Sequence, residues 1–78
     1  MKAKVYVTLK NGVLDPQGQA IGKSIKNLNI AGIGEVRQGK YFELELESAD
    51  KAEEKIKKAC ESILANTVIE NYRFELVG

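Results

Sequence analysis

Three stretches of this chain alternate apolar and polar residues with period two, and two stretches between them repeat apolar residues at helical spacing. That order constrains the fold more than any other feature. Ala3, Val5, Val7 and Leu9 alternate with Lys4, Tyr6, Thr8 and Lys10, as a strand with one buried and one polar face requires. Asn11-Gly12 breaks the run. Asp15-Pro16 then opens a helix: a capping carboxylate, followed by proline at the first helical position, where no N–H is needed. Ala20, Ile21, Ser24, Ile25 and Leu28 continue it. Gly18 and Gly22 each weaken a helix interior by up to ~1 kcal/mol relative to alanine, which points to close packing on a sheet as their reason.

Gly32-Ile33-Gly34 punctuates the chain, and Glu35-Val36-Arg37-Gln38 reads as a short second strand. Gly39-Lys40 turns into a third, where Phe42, Leu44 and Leu46 alternate with Tyr41, Glu43, Glu45 and Glu47. The second helix is the clearest element. Asp50 as N-cap and Glu53 three residues on form a capping box, and Ala52, Ile56, Ala59, Cys60, Ile63 and Leu64 form one apolar stripe. Asn66 suits a left-handed C-terminal cap. Tyr72, Phe74 and Leu76 alternate with Arg73, Glu75 and Val77 in a last strand.

Strand, helix, strand, strand, helix, strand, with no linker, makes residues 1–78 one α+β domain. The expected architecture is the ferredoxin-like β-α-β-β-α-β sandwich, a four-stranded antiparallel sheet with two helices on one face. The first and third strands are then central neighbours. Phe42, Leu44, Leu46, Val5, Val7, Tyr72 and Phe74 face the helices. Lys4, Tyr6, Thr8 and Lys10 share the other face with Tyr41, Glu43, Glu45, Glu47, Arg73 and Glu75. That polar face either meets solvent or docks another sheet or subunit.

A 78-residue chain withdraws only about 60% of its unfolded surface from water, so disulfides, a metal or an oligomeric interface usually supplement its core. Cys60 is the only cysteine and there is no histidine, which leaves oligomerisation. Twelve Lys+Arg against eleven Asp+Glu give a net charge of +1, without the basic excess of a nucleic-acid binder. Met1-Lys2-Ala3-Lys4 leads into an alternating strand, not the apolar core of a signal peptide. No stretch is apolar enough to cross a bilayer, so a cytoplasmic protein is expected.

The same inventory argues against chemistry. Cys60 has no histidine to activate it and sits in a helix stripe as a small buried hydrophobe. Glu43, Glu45 and Glu47 lie on an open strand face, where nothing would tune them for acid–base work. Gly32-x-Gly34 lacks the third glycine of a dinucleotide fingerprint, because that position is Arg37. Gly39-Lys40-Tyr41-Phe42 faintly echoes an RNA-binding strand, but the neighbouring glutamates would repel phosphate. No catalytic, cofactor-binding or metal-binding residue is expected.

Two surfaces stand out instead. Val13 and Leu14 are apolar in a connection that could have been polar. Leu14, Asp15, Pro16, Gln17 and Gly18 therefore form one candidate partner contact, in which proline and glycine would hold the loop in one shape. Arg37, Gly39 and Lys40, basic residues beside a glycine, form the second. On the plainer reading, Asp15 only caps and Gly39 only turns.

These stretches also carry a resemblance. Leu9-Lys10 with Gly12-Val13-Leu14-Asp15-Pro16-Gln17-Gly18, then Val36-Arg37-Gln38-Gly39-Lys40, Ala59-Cys60-Glu61 with Leu64-Ala65-Asn66, and Val68-Ile69-Glu70-Asn71-Tyr72 follow in order. Together they resemble PurS, the small subunit of phosphoribosylformylglycinamidine (FGAM) synthase, along the whole chain. Thr67 departs from the family's pattern, standing where many relatives have proline.

The resemblance implies a non-catalytic homodimer or homotetramer of ferredoxin-like subunits within a glutamine amidotransferase ligase of purine biosynthesis. It implies two partners. One is a glutaminase subunit that releases ammonia; the other is a large synthetase subunit that uses ATP and Mg to make the formylglycinamidine product. The small subunit would bridge them and support ammonia transfer. The alternative from another class is a dimeric regulatory domain that senses a small molecule between subunits.

Overall fold

The computed structural model describes residues 1–78. Strand β1 spans Lys2–Leu9, helix α1 Pro16–Asn27, strand β2 Gly39–Glu45, helix α2 Ala52–Ala59 and strand β3 Glu70–Val77. The sheet has three strands in the order β2-β1-β3, all antiparallel. Val5 lies opposite Phe42 on one side and Phe74 on the other, so the apolar residues of all three strands share a face. The alternation read from the sequence sets this register, because a one-residue slip would turn each strand over. The outer edges of β2 and β3 carry no further strand.

The fourth strand expected at Glu35–Gln38 is absent. This segment is drawn toward the start of α1 rather than along the edge of β2: the Gln38 amide is bound by the Asp15 carboxylate, and Gly18 seats against Val36. The strand expected at Tyr41–Glu47 after a turn at Gly39-Lys40 spans Gly39–Glu45; it lies beside β1 as anticipated, but at the edge of the sheet rather than its centre, because no fourth strand covers it.

Only one helix covers the sheet. Ile56, Cys60 and Ala65 close over Ala3, Val5 and Val7 to form the buried core, with Phe42, Leu44, Leu46, Tyr72, Phe74 and Leu76 half-buried around it. No residue of α1 belongs to this core. The expected pair of helices on one face is thus a single helix, and residues 11–36 stand off in a molecule 49 × 27 × 14 Å.

α2 differs from its sequence reading at both ends. Asp50 does not cap it; Lys51 adopts a left-handed conformation with φ 51°, and the Ala52 amide donates to the Ala49 carbonyl. A backbone turn therefore starts this helix. Glu53 and Glu54 complement the exposed amides of its first turn. At the other end α2 widens into a π-helical turn, Cys60–Leu64, closed by the Ala65 amide on the Cys60 carbonyl at 2.9 Å. Each residue of a wider turn rotates through a smaller angle. Leu64 and Ala65 stay on the sheet side while Ile63, expected in the stripe, swings out to 82% exposure.

Asn66 does not cap in the left-handed conformation either. It organises the turn into β3: its side chain accepts from the Val68 amide at 3.1 Å, and its carbonyl accepts from Ile69 and Glu70.

Cys60 is fully buried, and burial, aided by the neighbouring charge of Glu61, pushes its thiol above the ordinary range. A neutral alkylating agent at mildly alkaline pH is expected to leave the native chain unmodified and to label one equivalent in denaturant. Comparable labelling rates in both conditions would contradict the closed core.

Candidate partner-binding surface

Asp15 is where the two candidate patches meet. Its carboxylate is almost wholly buried, unusual for a loop aspartate, and both oxygens are used. Oδ1 accepts from the Gly18 amide at 2.8 Å, capping α1 as the sequence anticipates. Oδ2 accepts from the Gln38 amide at 2.9 Å, and the Arg37 Nε lies 3.7 Å from it. Arg37 also donates to the Leu9 carbonyl at 3.1 Å.

The Gln38 amide, then the Gly18 amide, and to a lesser degree Arg37 hold this carboxyl below its usual range. Its contribution to stability is therefore full above the unfolded aspartate value and is lost as pH falls through the lowered one.

Gly18 explains itself by distance. A Cβ there would lie 2.5 Å from the Val36 carbonyl and 2.7 Å from Asp15 Oδ2, and Gly22 also faces Val36. The glycines do serve close packing, but against the 35–38 segment and not against the sheet. Their spacing of four already pointed to one helix face. The role of the Gln38 backbone amide had no sequence signal.

Leu14, Pro16 and Gln17 are exposed around the buried Asp15 and Gly18, with Leu14 67% accessible. Arg37 keeps about a third of its side chain exposed (35%). Gly39 opens β2, and the Lys40 ammonium lies 3.8 Å from the Glu70 carboxylate. The structure thus joins the Asp15 loop to Arg37 and Gly39 around one base, with Leu14 the main apolar projection.

An open groove of about 630 Å³ runs between α1 and residues 33–37, lined among others by Leu14, Lys23, Lys26, Ile33 and Arg37. Ile21, Leu28 and Ile30 are exposed as well, although the helical stripe had suggested burial for Ile21 and Leu28. Leu14, Ile21, Leu28, Ile30 and Ile33 thus gather a large apolar exposure on one excursion of the chain.

The polar face of the sheet carries Lys4, Tyr6, Thr8, Tyr41, Glu43, Glu45, Arg73 and Glu75 as expected, while Lys10 and Glu47 fall beyond the strand ends, and it adds a stacked row. Tyr6 faces Tyr41 and Arg73 across its two ladders; the tyrosine ring centroids are 5.2 Å apart, and the Arg73 guanidinium lies 4.0 Å over the Tyr6 ring. Lys2 pairs with Glu43 at 3.3 Å, and the Tyr41 hydroxyl donates to the same carboxylate at 3.0 Å. That hydroxyl's bond, followed by Lys2, lowers the Glu43 pKa, whereas desolvation first and Glu43 second raise that of Tyr41. No three His, Cys, Asp or Glu side chains cluster to hold a metal ion.

These features define a small α+β chain with a three-stranded antiparallel sheet, one covering helix and an exposed apolar excursion. Comparison with known proteins gives the family. The model of the PurS family, described as phosphoribosylformylglycinamidine (FGAM) synthase, matches residues 2–78, and the chain belongs to that family. It is 47% identical over 76 residues to the PurS subunit of FGAM synthase from Bacillus subtilis, covering 96% of this chain and 90% of that one. The Synechocystis subunit is also 47% identical, over 77 residues, covering 96% of this chain and 77% of that one.

Among solved structures, B. subtilis PurS in its C2 crystal form superposes with a TM-score of 0.90 at 46% identity, covering 99% and 98% of the two chains. A chain of the PurLQS structure from Thermotoga maritima gives 0.79 at 31% identity, covering 97% and 95%. No helix of this chain is long and apolar enough to cross a membrane.

Proposed function

We propose that the chain is the small, non-catalytic subunit of a cytoplasmic FGAM synthase in de novo purine biosynthesis. It bridges the glutaminase subunit and the large synthetase subunit and supports ammonia transfer between their active sites. ATP and Mg are used by the synthetase subunit and are not held by this chain. The observation that carries the reading is the family match over residues 2–78, joined to likeness with a chain of a PurLQS structure. The exposed apolar side of residues 11–36 supports it further, because a bridging subunit needs surfaces that only its partners cover.

The chain is also proposed to form a homodimer or homotetramer. A half-covered sheet and an uncovered α1 are incomplete in one copy, and chains of this size commonly finish their core by association.

Reconstitution tests the function. Glutamine-dependent synthetase activity is expected only when cognate glutaminase, large subunit and this chain are mixed, together with a larger complex by light scattering. Full activity and assembly without the chain would overturn the proposal. Leu14→Asp is expected to fold normally, since its side chain is largely exposed, and to lower reconstituted activity at least about tenfold, as loss of an apolar contact worth ~1.4 kcal/mol or more would. Full activity from that variant would remove the Asp15 loop from the interface.

A further inference from the structure

β3 has eight residues and pairs only with β1, so its outer edge is bare backbone. The Lys10 amide donates to the Ile69 carbonyl, which fixes the alternation of the ladder beyond it. Asn71, Arg73 and Glu75 turn their amides and carbonyls toward β1, and Tyr72, Phe74 and Leu76 turn theirs outward. No turn or loop hydrogen bond of the chain takes up these outward groups. The same three side chains lie on the core face and are only half-buried.

We propose that this edge pairs antiparallel with the same edge of a second copy, about a twofold axis at Phe74, joining the two sheets into one. The proposal deepens the proposed self-association and rests on it.

Charge and face select this contact. Opposed residues of antiparallel strands share a face, so a register centred on Phe74 sets Phe74 against itself, Tyr72 against Leu76 and Arg73 against Glu75. Apolar residues then meet on the core side and opposite charges meet on the polar side. Tyr72, Phe74 and Leu76 fall at the hydrogen-bonded positions, which satisfies the outward amides of both copies. Arg73 and Glu75 fall at the closer, non-hydrogen-bonded positions. They already pair at 3.2 Å within one strand, so two copies complete a ring of alternating charge.

β2 offers no equivalent. Centred on Phe42, its edge sets Lys40 against Leu44 and Tyr41 against Glu43; centred on Glu43, it sets that carboxylate against itself. The β3 contact also closes on itself, as a twofold interface must. None of the hydrogen bonds that hold residues 11–36 reaches Tyr72–Leu76, so the contact leaves that excursion to be covered separately.

Glu75→Arg tests the register. Glu75 is exposed, and the substitution leaves Arg73 stacked on Tyr6. Arginine then faces arginine on both sides of the axis. Sedimentation velocity should show this step of association weakened at least about tenfold, a parent tetramer stopping at a dimer. Arg73→Glu should do the same with glutamates. An equimolar mixture of the two variants restores complementary pairs and should associate like the parent; a mixture no tighter than either variant alone would overturn the register. Parent-like association of each variant by itself would overturn the β3 contact and leave self-association standing. A parent chain that stays monomeric at every concentration would overturn both.

A second measurement needs no substitution. In residue-resolved amide exchange, Tyr72, Phe74 and Leu76 should be protected where the chain associates and exchange at least about tenfold faster on dilution. Fast exchange of these amides in the associated chain would overturn the proposal.

Discussion

Ile56→Ala is expected to lower the melting temperature of the chain by roughly 10–30 °C, the largest stability loss of any single truncation. Ile56 is only 2% exposed and is the largest fully buried side chain. It is the α2 residue that closes the core over Ala3, Val5 and Val7. Replacing a buried isoleucine by alanine removes transfer free energy and leaves a cavity, together about 2–5 kcal/mol. A domain of this length is stable by only ~4–12 kcal/mol, and each kilocalorie moves the midpoint of so small a domain by about 4–8 °C.

Ile63→Ala provides the contrast. It belongs to the same stripe in the sequence, but the π turn places it outward, so its effect in the isolated chain should stay within about 0.5 kcal/mol. Circular-dichroism melts at matched protein concentration would check both, since self-association shifts apparent stability. Similar losses from the two variants would mean that the helix turns as a regular α-helix and that Ile63 is buried after all.

Gly39→Val is expected to destabilise the chain by about 1–3 kcal/mol and to fray the start of β2. A Cβ at position 39 would stand 2.5 Å from the Val7 carbonyl oxygen and 2.9 Å from Thr8 Cγ2. Val7 belongs to the central strand, paired on both sides, so its backbone cannot retreat. Relief has to come from β2, at the cost of the Gly39–Thr8 end of the ladder. Gly34→Ala, with nothing within 4 Å of its Cβ, should be nearly neutral. Amide exchange across β2 would show the difference; equal protection in both variants would sink the steric argument.

In mapping the proposed partner surface, lost activity at Gly39 would report a damaged sheet, whereas at the exposed Leu14 and Lys40 it would report a lost contact.

Much of this was legible in the residues, and the failures share a cause. Period-two alternation placed β1, β2 and β3 and their buried faces correctly, because it reports a local property of the strand. Asp15-Pro16 marked the start of α1 for the same local reason. What patterns could not reveal was where an element lies in space. Val36 alternates plausibly enough for a strand, yet Asp15 and Gly18 draw its segment to α1. The apolar residues of α1 predicted burial, but periodicity does not say which molecule does the burying. At α2, the left-handed Lys51 and the π turn both changed a reading that assumed regular helix geometry.

The candidate site was half visible. Its residues were named from an apolar loop and a basic pair, and their convergence on one carboxylate depends on a backbone amide with no sequence mark.

The unpaired outer edges of β2 and β3 have a consequence for behaviour in solution. An open strand is a template on which identical strands can add without limit, and such growth ends in precipitate rather than in a defined complex. Here β2 offers Lys40, Glu43 and Glu45 along its short length, and β3 offers Arg73 and Glu75. Like strands stacked in register would bring like charges together at every layer. The fold can therefore keep its edges available for a chosen neighbour while remaining dispersed at the concentrations at which it is made.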